Sequence, residues 1–115
     1  MARTLGEFLD SWLKVHDAVR WLNELKRRAI GIEATATLNF LNTLAQTSSD
    51  LTLTVPGATL GDFVEVSAPV GSLAADSFYT AFVSATDVVT VRFHNFSAGA
   101  INPTEGDFRV RVKRG

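Results

Sequence analysis

The spacing of the apolar residues changes once along this chain, and the change falls at Gly31. Before it, apolar residues recur every three or four positions, the pattern of one stripe on a helix. After it they alternate strictly, the pattern of one face on a strand. A sequence with one such switch is restricted to a helix followed by a β domain. Residues 4–30 read as the helix. Thr4 and Glu7 fit a capping box that satisfies free N–H groups of the first turn. Gly31 is the C-terminal stop, and Lys26, Arg27 and Arg28 sit in the last turn, where cations favour the helix dipole. Placing Leu5, Trp12, Val19 and Lys26 at a, and Phe8, Val15, Leu22 and Ala29 at d, makes seven of eight seam positions apolar. Leu9, Leu13, Leu25 and Ile30 widen the stripe, which suits a helix touching more than one neighbour. Trp21 falls at c, on the nominally wet side. An indole there implies that this side is also covered, by the β domain or by a partner.

The remainder, residues 32–115, predicts six strands. Ile32, Ala34, Ala36, Leu38 and Phe40 alternate with polar residues, as do Leu51, Leu53 and Val55, which end at Pro56-Gly57. Val64 and Val66 follow a turn at Gly61-Asp62, and a strand over residues 78–84 sets Phe78, Thr80 and Phe82 opposite Tyr79, Ala81 and Val83. Val89, Val91 and Phe93 oppose Thr90, Arg92 and His94, and Phe108, Val110 and Val112 oppose Arg109, Arg111 and Lys113. Phe63 and Tyr79 fall on the faces opposite those expected to be buried. Short strands separated by Gly, Pro, Asn, Asp and Ser, with no further helix, predict a mainly β fold: an antiparallel β-sandwich, jelly-roll-like, preceded by one N-terminal α-helix. The domains are then residues 1–31, an amphipathic helix for oligomerisation or docking, and residues 32–115, the sandwich. Gly61-Asp62-Phe63 and Gly106-Asp107-Phe108 look alike, but their phenylalanines differ in phase, so they read as similar turns and not as a duplication.

The composition removes most chemistry. With 115 residues the chain has room for one core, and a sandwich this small gains from association. A net charge of −1 does not suit a polyanion-binding protein. The absence of cysteine rules out disulfides, thiolate metal sites and thiol catalysis. Apolar runs are too short for a membrane span, and Glu7, Asp10, Lys14 and Asp17 interrupt any signal-peptide core, so a cytoplasmic origin is expected. His16 and His94 have no ligand spacing around them, and Ser11, His16 and Asp17 are wrongly spaced on a helix to form a relay. Gly57, Gly61 and Gly71 read as turn residues. No catalytic residue, metal ligand or cofactor site is expected, and the chain reads as a non-enzyme. Lys26, Arg27 and Arg28 are a helix end or a contact for an acidic partner surface. Arg109, Arg111, Lys113 and Arg114 read as charge protecting an edge strand from unwanted pairing.

The stretch Thr86-Asp87-Val88-Val89-Thr90-Val91-Arg92-Phe93-His94-Asn95-Phe96 resembles small β-sandwich proteins of tailed-phage and cyanophage genomes. So do Asn102-Pro103-Thr104-Glu105-Gly106-Asp107-Phe108 and the opening strands Ala34-Thr35-Ala36-Thr37-Leu38 and Leu51-Thr52-Leu53-Thr54-Val55. The resemblance spans residues 34–112 and rests on strand patterns and turns. It implies a virion structural protein: a trimeric capsid decoration or cement protein that stabilises the shell, or else a tail-fibre or head-fibre knob that binds a host receptor through outer loops, with Phe78, Tyr79 and Phe96 as the exposed-loop aromatics. On that reading the chain is assembled in the host cytoplasm and ends in the virion. Its partners are itself, as a homotrimer, and the major capsid protein or another virion protein, with no nucleic acid and no membrane. The helix lies outside the matched stretch; its heptad pattern makes Leu5, Phe8, Trp12, Val15, Val19 and Leu22 the expected oligomer interface, and Trp21, Lys26, Arg27 and Arg28 the expected partner contacts.

Overall fold

The computed structural model describes residues 18–22 and 31–114. Alternation of apolar and polar residues produces six strands: β1 (Ile32–Leu38), β2 (Thr47–Thr54), β3 (Phe63–Ser67), β4 (Ser77–Ala85), β5 (Val88–Asn95) and β6 (Gly106–Lys113). A single 3-10 turn, Val70–Ser72, lies between β3 and β4. The strands form two antiparallel sheets, ordered β1-β6-β3 and β2-β5-β4. The chain is therefore mainly β, a small antiparallel β-sandwich. The six strands among the described residues are fewer than the eight of a full jelly roll. Residues 18–22 form one helical turn, and the rest of the helix expected over residues 4–30 lies outside the described residues.

The core sits between the sheets, and the two central strands supply half of its buried residues. Val89, Val91 and Phe93 of β5 and Phe108, Val110 and Val112 of β6 are buried. An aromatic knot forms its centre: Phe40 lies 5.6 Å from both Tyr79 and Phe108, and Tyr79 lies 5.0 Å from Phe93 and 5.1 Å from Phe108. The edge strands contribute smaller, half-buried groups, Ala34 and Ala36 on β1 and Val64 and Val66 on β3. Two clasps close the ends. At one, the two-residue turn between β4 and β5 reaches the turn after β2. There the Gly57 N–H donates to Asp87 Oδ1 at 2.8 Å, and the Asp87 N–H donates to the Ala58 carbonyl at 2.9 Å. At the other, buried Asn95 donates through Nδ2 to the carbonyls of Thr43 and Gly99, at 3.0 and 2.9 Å. Its Oδ1 accepts from the Ser97 N–H and hydroxyl.

Three sequence expectations are corrected. Tyr79, Ala81 and Val83 are the inward residues of β4, and Phe78, Thr80 and Phe82 face out. Aromatics on both faces made the phase ambiguous, and Tyr79 takes the inside because its hydroxyl finds a buried acceptor, the Ser72 carbonyl at 2.7 Å. Phe78 and Tyr79 thus belong to a strand and not to loops. Finally, β6 is the centre of its sheet and not an edge. Its basic face is partly neutralised by its neighbours: Arg111 pairs with Glu33 on β1, and Lys113 with Glu65 on β3.

Candidate functional site

Two surfaces stand out on the described residues. The first is the helical turn. Val19 and Leu22, the seam positions it contains, are 51% and 56% exposed, and Trp21 is 63% exposed. An a residue, a d residue and an indole are thus in solvent together. The structure does not bring them to the sandwich core. The other seam positions, Leu5, Phe8, Trp12 and Val15, and the basic residues Lys26, Arg27 and Arg28, lie outside the described residues.

The second surface is the outer face of β2-β5-β4, where register lines side chains up in rows across three strands. Ser48, His94 and Phe78 are direct neighbours in one row. Asp50, Arg92 and Thr80 form the next, followed by Thr52, Thr90 and Phe82. In the first row, the Phe78 ring stacks on the His94 imidazole with centroids 4.3 Å apart and planes at 10°. Between rows, Thr80 Oγ1 and His94 Nε2 are hydrogen-bonded at 2.8 Å, which fixes the imidazole in its plane. Phe96, just past β5, tilts against Phe78 at 5.8 Å and 50°, so the two rings form a floor and a wall.

Charge on this face is internally satisfied. Arg92 donates to both oxygens of Asp50, Nε at 2.8 Å and Nη2 at 2.9 Å, in a bidentate pair. The hydrogen bond from Arg92, reinforced by its charge, holds the Asp50 carboxyl below the usual carboxylate range. The same guanidinium lies 5.1 Å from the Phe82 ring centre, a cation–π geometry. Among the described residues, no group of three or more His, Cys, Asp or Glu could hold a metal ion. No described helix is long and apolar enough to cross a membrane.

A shallow depression of about 320 Å³ opens where the rows end, lined by Gln46, Thr47, Ser48, Phe78, His94, Asn95 and Phe96. Its rim is held in place. The Gln46 Nε2 donates to the carbonyls of Phe96 and Ser97 at 2.7 and 3.0 Å, and the Phe96 N–H donates to the Asp76 carbonyl at 3.1 Å. Gln46 and Asp76 both have left-handed backbones, φ 60° and 57°. Such conformations in non-glycine residues are uncommon and persist only where the surroundings fix them.

No protein-family model, curated protein or solved structure matches the chain. The sequence singled out Phe78 and Phe96 but missed their grouping with His94, Ser48 and Gln46. The partial signal was the aromatic spacing of Phe78 and Phe82 on β4, two positions that share a face whichever way the strand turns.

Proposed function

We propose that this chain is a non-enzymatic structural protein of a tailed-phage virion, a homotrimer that decorates the capsid shell and stabilises it. The observation that carries the reading is the exposure of Val19, Trp21 and Leu22 on one helical turn. Apolar groups in solvent at seam spacing suit a helix that pairs with copies of itself. The resemblance of residues 34–112 to phage β-sandwich proteins supplies the setting, and a cyclic trimer suits three-fold positions on a shell. The capsid or another virion protein is then the second partner, reached through Trp21 and the basic residues Lys26, Arg27 and Arg28. This role needs no cofactor, nucleic acid or membrane. The same reading takes the sandwich as a reduced jelly roll, supported by four of its five strand connections passing from one sheet to the other.

The test is mass in solution by light scattering, with co-sedimentation on empty phage shells. The intact chain is expected to be a trimer that sediments with shells, and the Val19→Glu/Leu22→Glu double variant a monomer that does not. A monomeric intact chain without affinity for shells would remove the proposal. A second reading, a fibre knob that binds a host receptor, is favoured by one observation, the organised aromatic face of β2-β5-β4.

A further inference from the structure

We infer that the depression bounded by Phe78, His94 and Phe96 is a binding site for a neutral carbohydrate. This inference goes beyond the virion reading and does not depend on it, since the site lies within one chain.

Four features point to this ligand class. The first is shape. Phe78, 47% exposed, has its ring stacked on the His94 imidazole, and Phe96, 51% exposed, stands at an angle to it. A pyranose ring has one face of C–H groups. These carry partial positive charge and pack against the negative face of an aromatic ring, leaving the hydroxyls at the rim. The second is the rim itself. Among the described residues the Ser48 hydroxyl and His94 Nδ1 make no hydrogen bond, and Gln46 uses its Nε2 on the chain while its Oε1 accepts none. One hydroxyl, one imidazole nitrogen and one amide oxygen offer donors and acceptors of the kind that sugar hydroxyls require.

The third is charge. Arg92, the cation of this face, already holds Asp50 in a bidentate pair. Among the described residues of this face that leaves no uncommitted guanidinium to recognise a phosphate, sulfate or carboxylate, so a neutral ligand is favoured over a nucleotide or an acidic glycan. The fourth is preorganisation. Hydrogen bonds from both sides fix the Phe96 backbone, and the two residues that provide them, Gln46 and Asp76, have left-handed backbones. A wall fixed before the ligand arrives loses little entropy on binding. At about 320 Å³ the depression lies at the small end of ligand pockets, which run from about 300 to 1,000 Å³, and suits one or two sugar units.

The experiment uses the isotopically labelled full chain and heteronuclear NMR. The probes are neutral tetrasaccharides of glucose, galactose, mannose and N-acetylglucosamine, each titrated separately to about millimolar concentration, the range expected for a small open site. Light scattering runs in parallel. At least one sugar is expected to shift the amides of Ser48, Phe78, His94 and Phe96 in a saturable way. Phe78→Ala is expected to weaken that binding about tenfold, and Ser48→Ala to weaken it less. Phe63→Ala, which removes an exposed ring from the other sheet, should leave it unchanged. Both phenylalanines are exposed, so both variants keep the core intact, and their spectra report this directly. The proposal is overturned if no probe shifts these amides, if the shifts lie elsewhere, or if Phe63→Ala weakens binding as much as Phe78→Ala. It is also overturned if Phe78→Ala lowers the mass of the particle, because the face would then be covered by a second copy.

Discussion

At the scale of single residues, two polar groups, buried Asn95 and half-buried Tyr79, do more for this sandwich than their number suggests. Asn95 uses Nδ2 and Oδ1 to tie together the chain before β2 and the chain after β5. Asn95→Ala removes the Nδ2 donor shared by the carbonyls of Thr43, Leu44 and Gly99 and the Oδ1 acceptor of the Ser97 N–H and hydroxyl, at a cost of about 1 kcal/mol for each hydrogen bond lost. Urea unfolding is expected to show a loss of about 3 kcal/mol, and Asn95→Asp should be no better, since a carboxylate cannot donate. Tyr79 provides a spectroscopic test, because it is the chain's one tyrosine. Burial pushes its phenol from 10.0 up to about 12. A group whose folded pKa lies above its unfolded value contributes stability in full below the unfolded value, and loses it as pH rises through the folded one. The loss therefore falls between pH 10 and about 12. An absorbance titration should show phenolate forming late in the native chain, and Tyr79→Phe should remove this part of the alkaline pH dependence. Neither role was legible in the sequence. The partners of Asn95 are backbone carbonyls at Thr43, Leu44 and Gly99, and the Ser72 carbonyl that accepts from Tyr79 lies in a turn whose course depends on the whole sandwich.

At the scale of elements, the faces of β1, β2, β3, β5 and β6 could be read from alternation, because each has apolar residues on one side and mostly polar residues on the other. In β4 both sides carry aromatics, so periodicity gave two candidate faces and only packing chose between them. A pair of variants tests that choice. Tyr79→Ala should cost about 3 kcal/mol or more, as for a large aromatic removed from a core. Phe78→Ala should cost less than about 1 kcal/mol. Strand order was out of reach for a similar reason. The arginines of β6 look like edge protection until Glu33 and Glu65, far away in sequence, arrive on either side of Arg111 in register. The joint between the two patterns was legible. Gly31 has φ +84°, and a Cβ there would lie 2.6 Å from the Val112 carbonyl oxygen. Only glycine combines that dihedral with that approach, so Gly31→Ala is expected to cost more than about 1 kcal/mol in urea unfolding.

For the whole molecule, the question is how a sandwich this small keeps its stability while leaving so much apolar surface in water. Beyond the helical turn, Leu41, Leu44, Val70 and Leu73 are exposed, and they flank the sandwich instead of filling it. If copies associate through the seam that contains Val19 and Leu22, folding and assembly are linked, and stability depends on concentration. Each tenfold change in concentration is worth about 1.4 kcal/mol per association step. A trimer has two steps shared among three chains, or about 0.9 kcal/mol per chain, which for a domain of this size moves the thermal midpoint by roughly 4 °C. The midpoint of the intact chain, followed by circular dichroism over a hundredfold range of dilution, should therefore rise with concentration. In Val19→Glu/Leu22→Glu the dependence should vanish while the β spectrum persists, because the buried core among the described residues lies wholly between Leu38 and Val112. A midpoint that ignores concentration in the intact chain would mean that the exposed turn is not where copies gain their stability. The apolar surface at Leu41, Leu44, Val70 and Leu73 would then be the part of the molecule in need of a partner.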